Sequence, residues 1–253
     1  MLRGGKYVIR TITSGRVKEK SKVWIPANAI VRKGRVKGNT AAAKRDSNER
    51  SAIKQLARVI NCNFSKKDIY LTLTYSDSDL PADMTAQQKD ATNFIRRLER
   101  AAKKAGVEDP KRIIVCSEKD GKTRESVRPH IHIVFSGTGF EFRNGEWYIG
   151  KRKLLSIWGK GGVYAEPLRT QDDYTPLAAY LIRQAGADES GKKYRCSQNM
   201  AKPIITEELA VTDRQLRAPV GARVMEQRYN DLEGINYVRY VRPEKKDRKQ
   251  PRE

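Results

Sequence analysis

The sequence predicts an α+β fold: a central antiparallel β-sheet with helices packed on one face. Three observations lead there. Short runs rich in β-branched and aromatic residues alternate with longer stretches of helical periodicity through the middle of the chain, which excludes a helical bundle and a β-sandwich. The connections between neighbouring runs are short, as antiparallel neighbours require. The 253 residues are also enough to bury a sizeable core. The organisation read from these patterns is a basic N-terminal extension with short strands over 1–41, a main domain over 42–205 and a C-terminal extension over 206–253.

In chain order, "KYVIRTI" and "KVWIP" read as short strands separated by basic turns. A helix follows over about 42–60, where Ile53, Leu56, Ala57 and Ile60 share one stripe. "DIYLTLTY", residues 68–75, is a strand whose alternation places Tyr70, Thr72 and Thr74 on one face and Leu71, Leu73 and Tyr75 on the other. Thr85 and Gln88 have capping-box spacing, and Ala91, Phe94, Ile95, Leu98, Ala102 and Ala105 form a stripe that stops before Gly106. "RIIVCSE" is a strand, "KDGKTRESVR" a loop, and "PHIHIVF" a strand that sends His130, His132 and Val134 one way and Ile131, Ile133 and Phe135 the other.

"FEFRNGEWYIG" reads as a hairpin turning at Asn144-Gly145, the strongest short turn signal in the chain. "KRKLLSIWGK" is a basic helix with Leu154, Leu155 and Trp158 facing inward, and "GVYAEPLR" is a strand. Thr175 and Pro176 open the next helix as N-cap and first-turn residues. Beyond about 205 the pattern predicts one helix and then the alternating strand "INYVRYVR". The ending "PEKKDRKQPRE" has no apolar content and reads as a disordered tail.

Lys and Arg number 52 against 30 Asp and Glu, a formal charge of +22. Residues 1–60 alone hold sixteen basic and three acidic residues, so more than half the excess lies in the first quarter. Such a surplus suits a polyanion, because each phosphate neutralised by Lys or Arg releases condensed counterions. No apolar run is long enough to span a bilayer and the N-terminus lacks a signal-peptide core, which reads as a cytosolic protein. Cys62, Cys116 and Cys196 are an odd set without a CxxC pair, against a disulfide framework or a zinc ribbon.

The only two histidines, His130 and His132, stand two positions apart. On a strand their side chains leave the same face roughly 7 Å apart, close enough to converge on one ion. Glu118 ends the preceding strand across a loop that folds it back toward them. Two imidazoles and a carboxylate with open positions suit Mn²⁺ or Mg²⁺ binding a phosphate oxygen. Taken alone, a His-x-His pair is equally well a pair of half-buried strand residues. A structural zinc site finds only Cys116 suitably placed.

In company the pair says more. His130-Ile131-His132 resembles the histidine-hydrophobe-histidine signature of the HUH endonucleases, and its surroundings resemble the rolling-circle replication initiator (Rep) proteins of phages and plasmids. The likeness runs through "IYLTLTY", "CSEKDGKTRESVRPHIHIVF", "LAAYLIRQ" and "RCSQNMAKP", over roughly residues 42–210. It implies a ferredoxin-like sheet with the histidines on a central strand, a metal held by Glu118, His130 and His132, and Tyr180 as nucleophile. Relatives often carry lysine one turn after that tyrosine, where this chain has Arg183, a candidate to hold a phosphate oxygen or steady the phenolate. Some carry a second tyrosine where this chain has Gln184, which places it with the single-tyrosine members. Tyr174 and Tyr194 are rival nucleophiles.

The resemblance implies nicking of single-stranded DNA at an origin, a 5′-phosphotyrosine intermediate and a free 3′-hydroxyl primer, with a host helicase and polymerase as partners. Lys119, Lys122, Arg124 and Arg128 in one loop and Lys151, Arg152 and Lys153 on the basic helix are candidate DNA contacts. The N-terminal basic block is a candidate for the hairpin or duplex part of an origin. Relaxases and single-strand transposases share the chemistry, and a non-catalytic nucleic-acid-binding protein shares the charge. "GADESGKK" has partial P-loop spacing but ends in Lys193 where Ser or Thr should hold Mg²⁺.

Overall fold

The computed structural model describes residues 5–26, 41–66, 68–104, 106, 109–120, 123, 125–136, 142–143, 146–147, 150–169, 171–186, 191–210, 214–230 and 235–243. Its elements are β1 (Gly5–Ser14), β2 (Val17–Pro26), α1 (Ala41–Asn63), β3 (Ile69–Thr74), α2 (Met84–Lys104), β4 (Arg112–Lys119), β5 (Ser126–Phe135), β6 (Phe142–Arg143), β7 (Glu146–Trp147), α3 (Lys151–Trp158), β8 (Val163–Pro167), α4 (Thr175–Gln184), β9 (Arg195–Cys196), β10 (Ile204–Leu209), β11 (Arg223–Asn230) and β12 (Ile235–Val241). The chain divides into two compact units, one of residues 41–201 and one of residues 1–40 with 202–253. The α+β class is as the sequence predicts.

In the unit of residues 41–201 an antiparallel sheet has the order β8-β3-β5-β4-β9. The histidine strand β5 is central, between β3 and β4. Helices cover both faces, not one. Ala91, Phe94, Ile95 and Leu98 of α2 with Leu154, Ile157 and Trp158 of α3 pack on Leu71, Leu73, Ile114, Ile131 and Ile133. Leu56 and Ile60 of α1 with Ala178, Leu181 and Ile182 of α4 pack on Ile113, Val115 and Val134. The reason lies in β4 and β5, where Ile113–Ser117 and Ile131–Phe135 are buried without a break, as strands covered on both faces must be.

Local caps refine the helix starts. Asp83 Oδ1 accepts the Ala86 N–H at 2.7 Å, so Asp83 and not Thr85 caps α2. Gly106 ends the region of α2 at φ +84°, with its N–H on the Lys103 carbonyl. Thr175 lies inside α4, and its N–H is taken by Asp173 Oδ1 at 3.0 Å. Asn61 of α1 donates to the same oxygen at 3.1 Å and accepts the Tyr174 N–H at 2.9 Å, which fixes the start of α4 against α1. β6 and β7 pair as the Asn144-Gly145 signal requires.

The second unit holds a five-stranded antiparallel sheet of order β10-β1-β2-β12-β11. The helix read beyond residue 205 is replaced by strands: β10 and β11 are edge strands with most side chains exposed, so neither carries a burial period to betray it. The terminal tail from residue 244, like the P-loop-like residues 187–190, lies outside the described residues.

Candidate functional site

Pairing across three strands assembles the site. Thr72 and Val115 flank His132, while Thr74 and Ser117 flank His130, so one sheet face presents hydroxyls and imidazoles together. The two rings lie 4.8 Å apart between centroids. This face is the one α4 covers, and α4 is held to β4 at its C-terminal end by an Ala185–Ser117 bridge and by the Gly186 N–H on the Cys116 carbonyl at 3.1 Å. That bridge carries Gln184 inward.

Gln184 Oε1 lies 2.9 Å from His130 Nε2 and 3.2 Å from His132 Nε2. A single point is therefore within hydrogen-bonding reach of both nitrogens. His130 Nδ1 lies 3.0 Å from the Arg128 carbonyl, which can only accept, so Nδ1 carries the proton. A neutral His130 then turns the lone pair of Nε2 toward the pocket. His132 Nδ1 is 2.8 Å from the Tyr70 hydroxyl and 3.2 Å from Thr72 Oγ1. Such partners fix a ring's orientation and tautomer. Burial, and then the neighbouring His130, lower the His132 pKa to about 4, so the ring is neutral near pH 7, the form a metal requires.

Tyr180 projects from α4 with its ring 5.5 Å from that of His132 and 47 % of its surface exposed. Tyr70 is the nearest other phenol. Burial pushes its pKa far above the ordinary value near 10, and Tyr180 beside it adds to the rise, so Tyr70 remains protonated. The two phenols divide by environment: Tyr70 holds His132, and Tyr180 is open to a substrate. Tyr174 is buried and Tyr194 is packed against the core, with burial raising both phenols. Tyr164, 66 % exposed on the edge strand β8 and paired with Thr72, adds a second open ring to this face.

Other expectations are redrawn. Glu118 does not join the imidazoles: among the described residues no three His, Cys, Asp or Glu side chains cluster as a metal site. The register of β4 against β5 shifts between Ser117 and Lys119, and the Glu118 carboxylate lies beside Gly186, where a Cβ would come within 2.9 Å of Oε1. Only a glycine admits that approach. Arg183 points toward α1, with Nε 3.7 Å from Glu49 Oε1, because three residues after Tyr180 the helix surface has turned toward its neighbour.

Of the predicted DNA contacts, Arg128 is engaged by Asp77 at 2.6 Å and by the Tyr75 carbonyl at 2.9 Å. Arg152 and Lys153 sit on α3, whose apolar side packs on the sheet face opposite the histidines. Lys122, Arg124 and the side chain of Lys151 lie outside the described residues. Lys119 lines an open cleft of about 1210 Å³ with Arg45, Lys192, Lys193, Tyr194 and Arg195. The run "GKKYR" at 191–195 was its visible signal. Gln184 had none, because its role depends on the bridge between α4 and β4.

The fold and the site define a chain with paired imidazoles and an open phenol on an antiparallel sheet. Residues 68–185, which contain every residue of that site, match a family model described as replication-associated protein of the ORF2 type. In that segment the chain is similar to replication-associated proteins. The comparisons with curated proteins and with solved structures each gave no match. Among the described residues no helix is long and apolar enough to cross a membrane.

Proposed function

We propose that this chain is a replication initiator that nicks single-stranded DNA with Tyr180 and rejoins the strand. The observation that carries the reading is the convergence of both Nε2 atoms on one point beside an exposed phenol. In the reaction Tyr180 Oη bonds to phosphorus, the P–O3′ bond breaks, and a proton leaves the phenol as one is gained by the 3′ oxygen. The phosphotyrosine ester retains the bond energy, so the 3′-hydroxyl can reverse the step without ATP. The family match favours replication initiation over a relaxase or a transposase.

The donor set fits a divalent ion. His130 and His132 would hold it through Nε2, with the Gln184 amide oxygen as third donor, a set that takes Mn²⁺ or Mg²⁺. When bound, the ion withdraws charge from the scissile phosphate. Tyr70 and Thr72 keep His132 oriented, and the Arg128 carbonyl keeps His130 in the tautomer that faces the pocket. Tyr164 offers a ring on which a base beside the scissile phosphate can stack. Tyr180→Phe is expected to abolish covalent protein–DNA adducts on gel electrophoresis while oligonucleotide binding stays within about twofold. Adducts that persist in this variant would reject the assignment.

A further inference from the structure

The sheet of residues 5–26 and 204–241 has two faces of different character. On one, charges neutralise each other: Arg10 pairs with Glu207 at 2.7 Å, Glu226 with Arg228 at 2.7 Å and with Arg239 at 3.5 Å, and Glu19 accepts from the Tyr237 hydroxyl at 3.1 Å. The register places Lys18, Lys20, Lys22 and Trp24 of β2 on the other face, opposite Thr13, Thr11, Ile9 and Tyr7 of β1. Three lysines at every second position form a row with a repeat of roughly 7 Å. Glu208, opposite Ile9, is the acidic side chain that β10 adds to this face. On the β12 side Val238 and Tyr240, opposite Lys20 and Lys18, are buried, so the face is most open at its Lys22–Trp24 end.

At that end Tyr7 and Trp24 meet edge to face, with ring centroids 4.7 Å apart. Both stay open, at 43 % and 39 % exposure, and the Lys22 ammonium lies 4.5 Å from the centre of the Tyr7 ring. An exposed aromatic pair on a strand surface has no packing role to explain it. A cation row leading into such a pair matches the two needs of an unstacked strand, phosphates to neutralise and bases to stack. A duplex would use the lysines but keep its bases inside the helix, leaving the rings unused.

We propose that this sheet face binds single-stranded nucleic acid, with phosphates along Lys18, Lys20 and Lys22 and bases stacked on Tyr7 and Trp24. The block of charge expected to meet duplex thereby becomes a single-strand platform, and the proposal is independent of the nicking reading. It is tested with the full chain by fluorescence anisotropy of a labelled oligothymidylate across a salt series. Trp24→Ala should weaken binding about tenfold or more, and Trp24→Phe should restore most of it. Replacing Lys18, Lys20 and Lys22 together with Gln should lower the slope of log affinity against log salt by about 2. An unshifted melting temperature in each variant shows that the sheet is intact.

Unchanged affinity and slope would overturn the proposal. So would losses confined to duplex DNA of the same length, or to vesicles rich in phosphatidylserine. Trp24→Phe read by intrinsic fluorescence gives a second measure, since quenching by oligothymidylate should fall when this ring is removed. Absence of covalent adducts in the parent chain would count against Tyr180 as nucleophile and leave the anisotropy result to decide this surface separately.

Discussion

The two five-stranded sheets of this chain differ in how far they are covered, and the difference separates a place for chemistry from a place for recognition. The sheet of order β8-β3-β5-β4-β9 is packed by helices on both faces, so a polar group there survives only where it has partners. His132 meets that condition through Tyr70, Thr72 and Gln184. The sheet of order β10-β1-β2-β12-β11 keeps β10 exposed along its whole length and leaves charges at the surface. Burial can tune an imidazole or a phenol; an exposed face offers only charge and ring surface.

Cutting into each sheet should expose the contrast most sharply. Phe135→Ala, which removes a fully buried ring from β5, is expected to cost about 3–5 kcal/mol in chemical denaturation. Acid should act next. Burial gives His132 a folded pKa of about 4 against an unfolded value near 6.5. Above the unfolded value the ring is neutral in both states and the stability is complete. As pH falls from about 6.5 toward 4 the unfolded chain takes up a proton that the folded one refuses, and about 3 kcal/mol is lost. The slope of urea midpoint against pH should flatten in His132→Gln; a parallel slope in that variant would assign the acid sensitivity elsewhere.

Smaller effects sharpen the boundary of the site. Gln184→Leu is expected to weaken Mn²⁺ binding about 10–100-fold by titration calorimetry, with Glu118→Gln changing it far less. The reverse ranking would restore Glu118 as the third ligand. Smallest of all, Ile205→Ser on the exposed strand β10 should shift stability by no more than about 0.5 kcal/mol.

Period-two alternation and helical stripes were enough to locate β3, β4, β5, α2 and α4, because each of these buries one set of side chains and exposes or pairs another. The histidine pair and Tyr180 were visible for the same reason, as unusual residue types inside regular patterns. Unbroken burial in "IIVCS" and "IHIVF" was also on view, yet it marks helices on both faces only when read as a continuous run. β10 and β11 could not be read, since strands without a covered face have no period.

Residue order by itself determined which positions share a face: the two imidazoles with Thr72 and Thr74, and Lys18, Lys20 and Lys22 with Trp24. Those relations follow from the two-residue pleat of a strand, a local property of the backbone. Only the tertiary structure decided what meets them from outside, bringing Gln184 to both Nε2 atoms, turning Arg183 to Glu49 and setting Glu118 beside Gly186. The physical reason is that such meetings depend on how α4 docks on β4, a contact between segments more than sixty residues apart whose free energy is summed over the whole core.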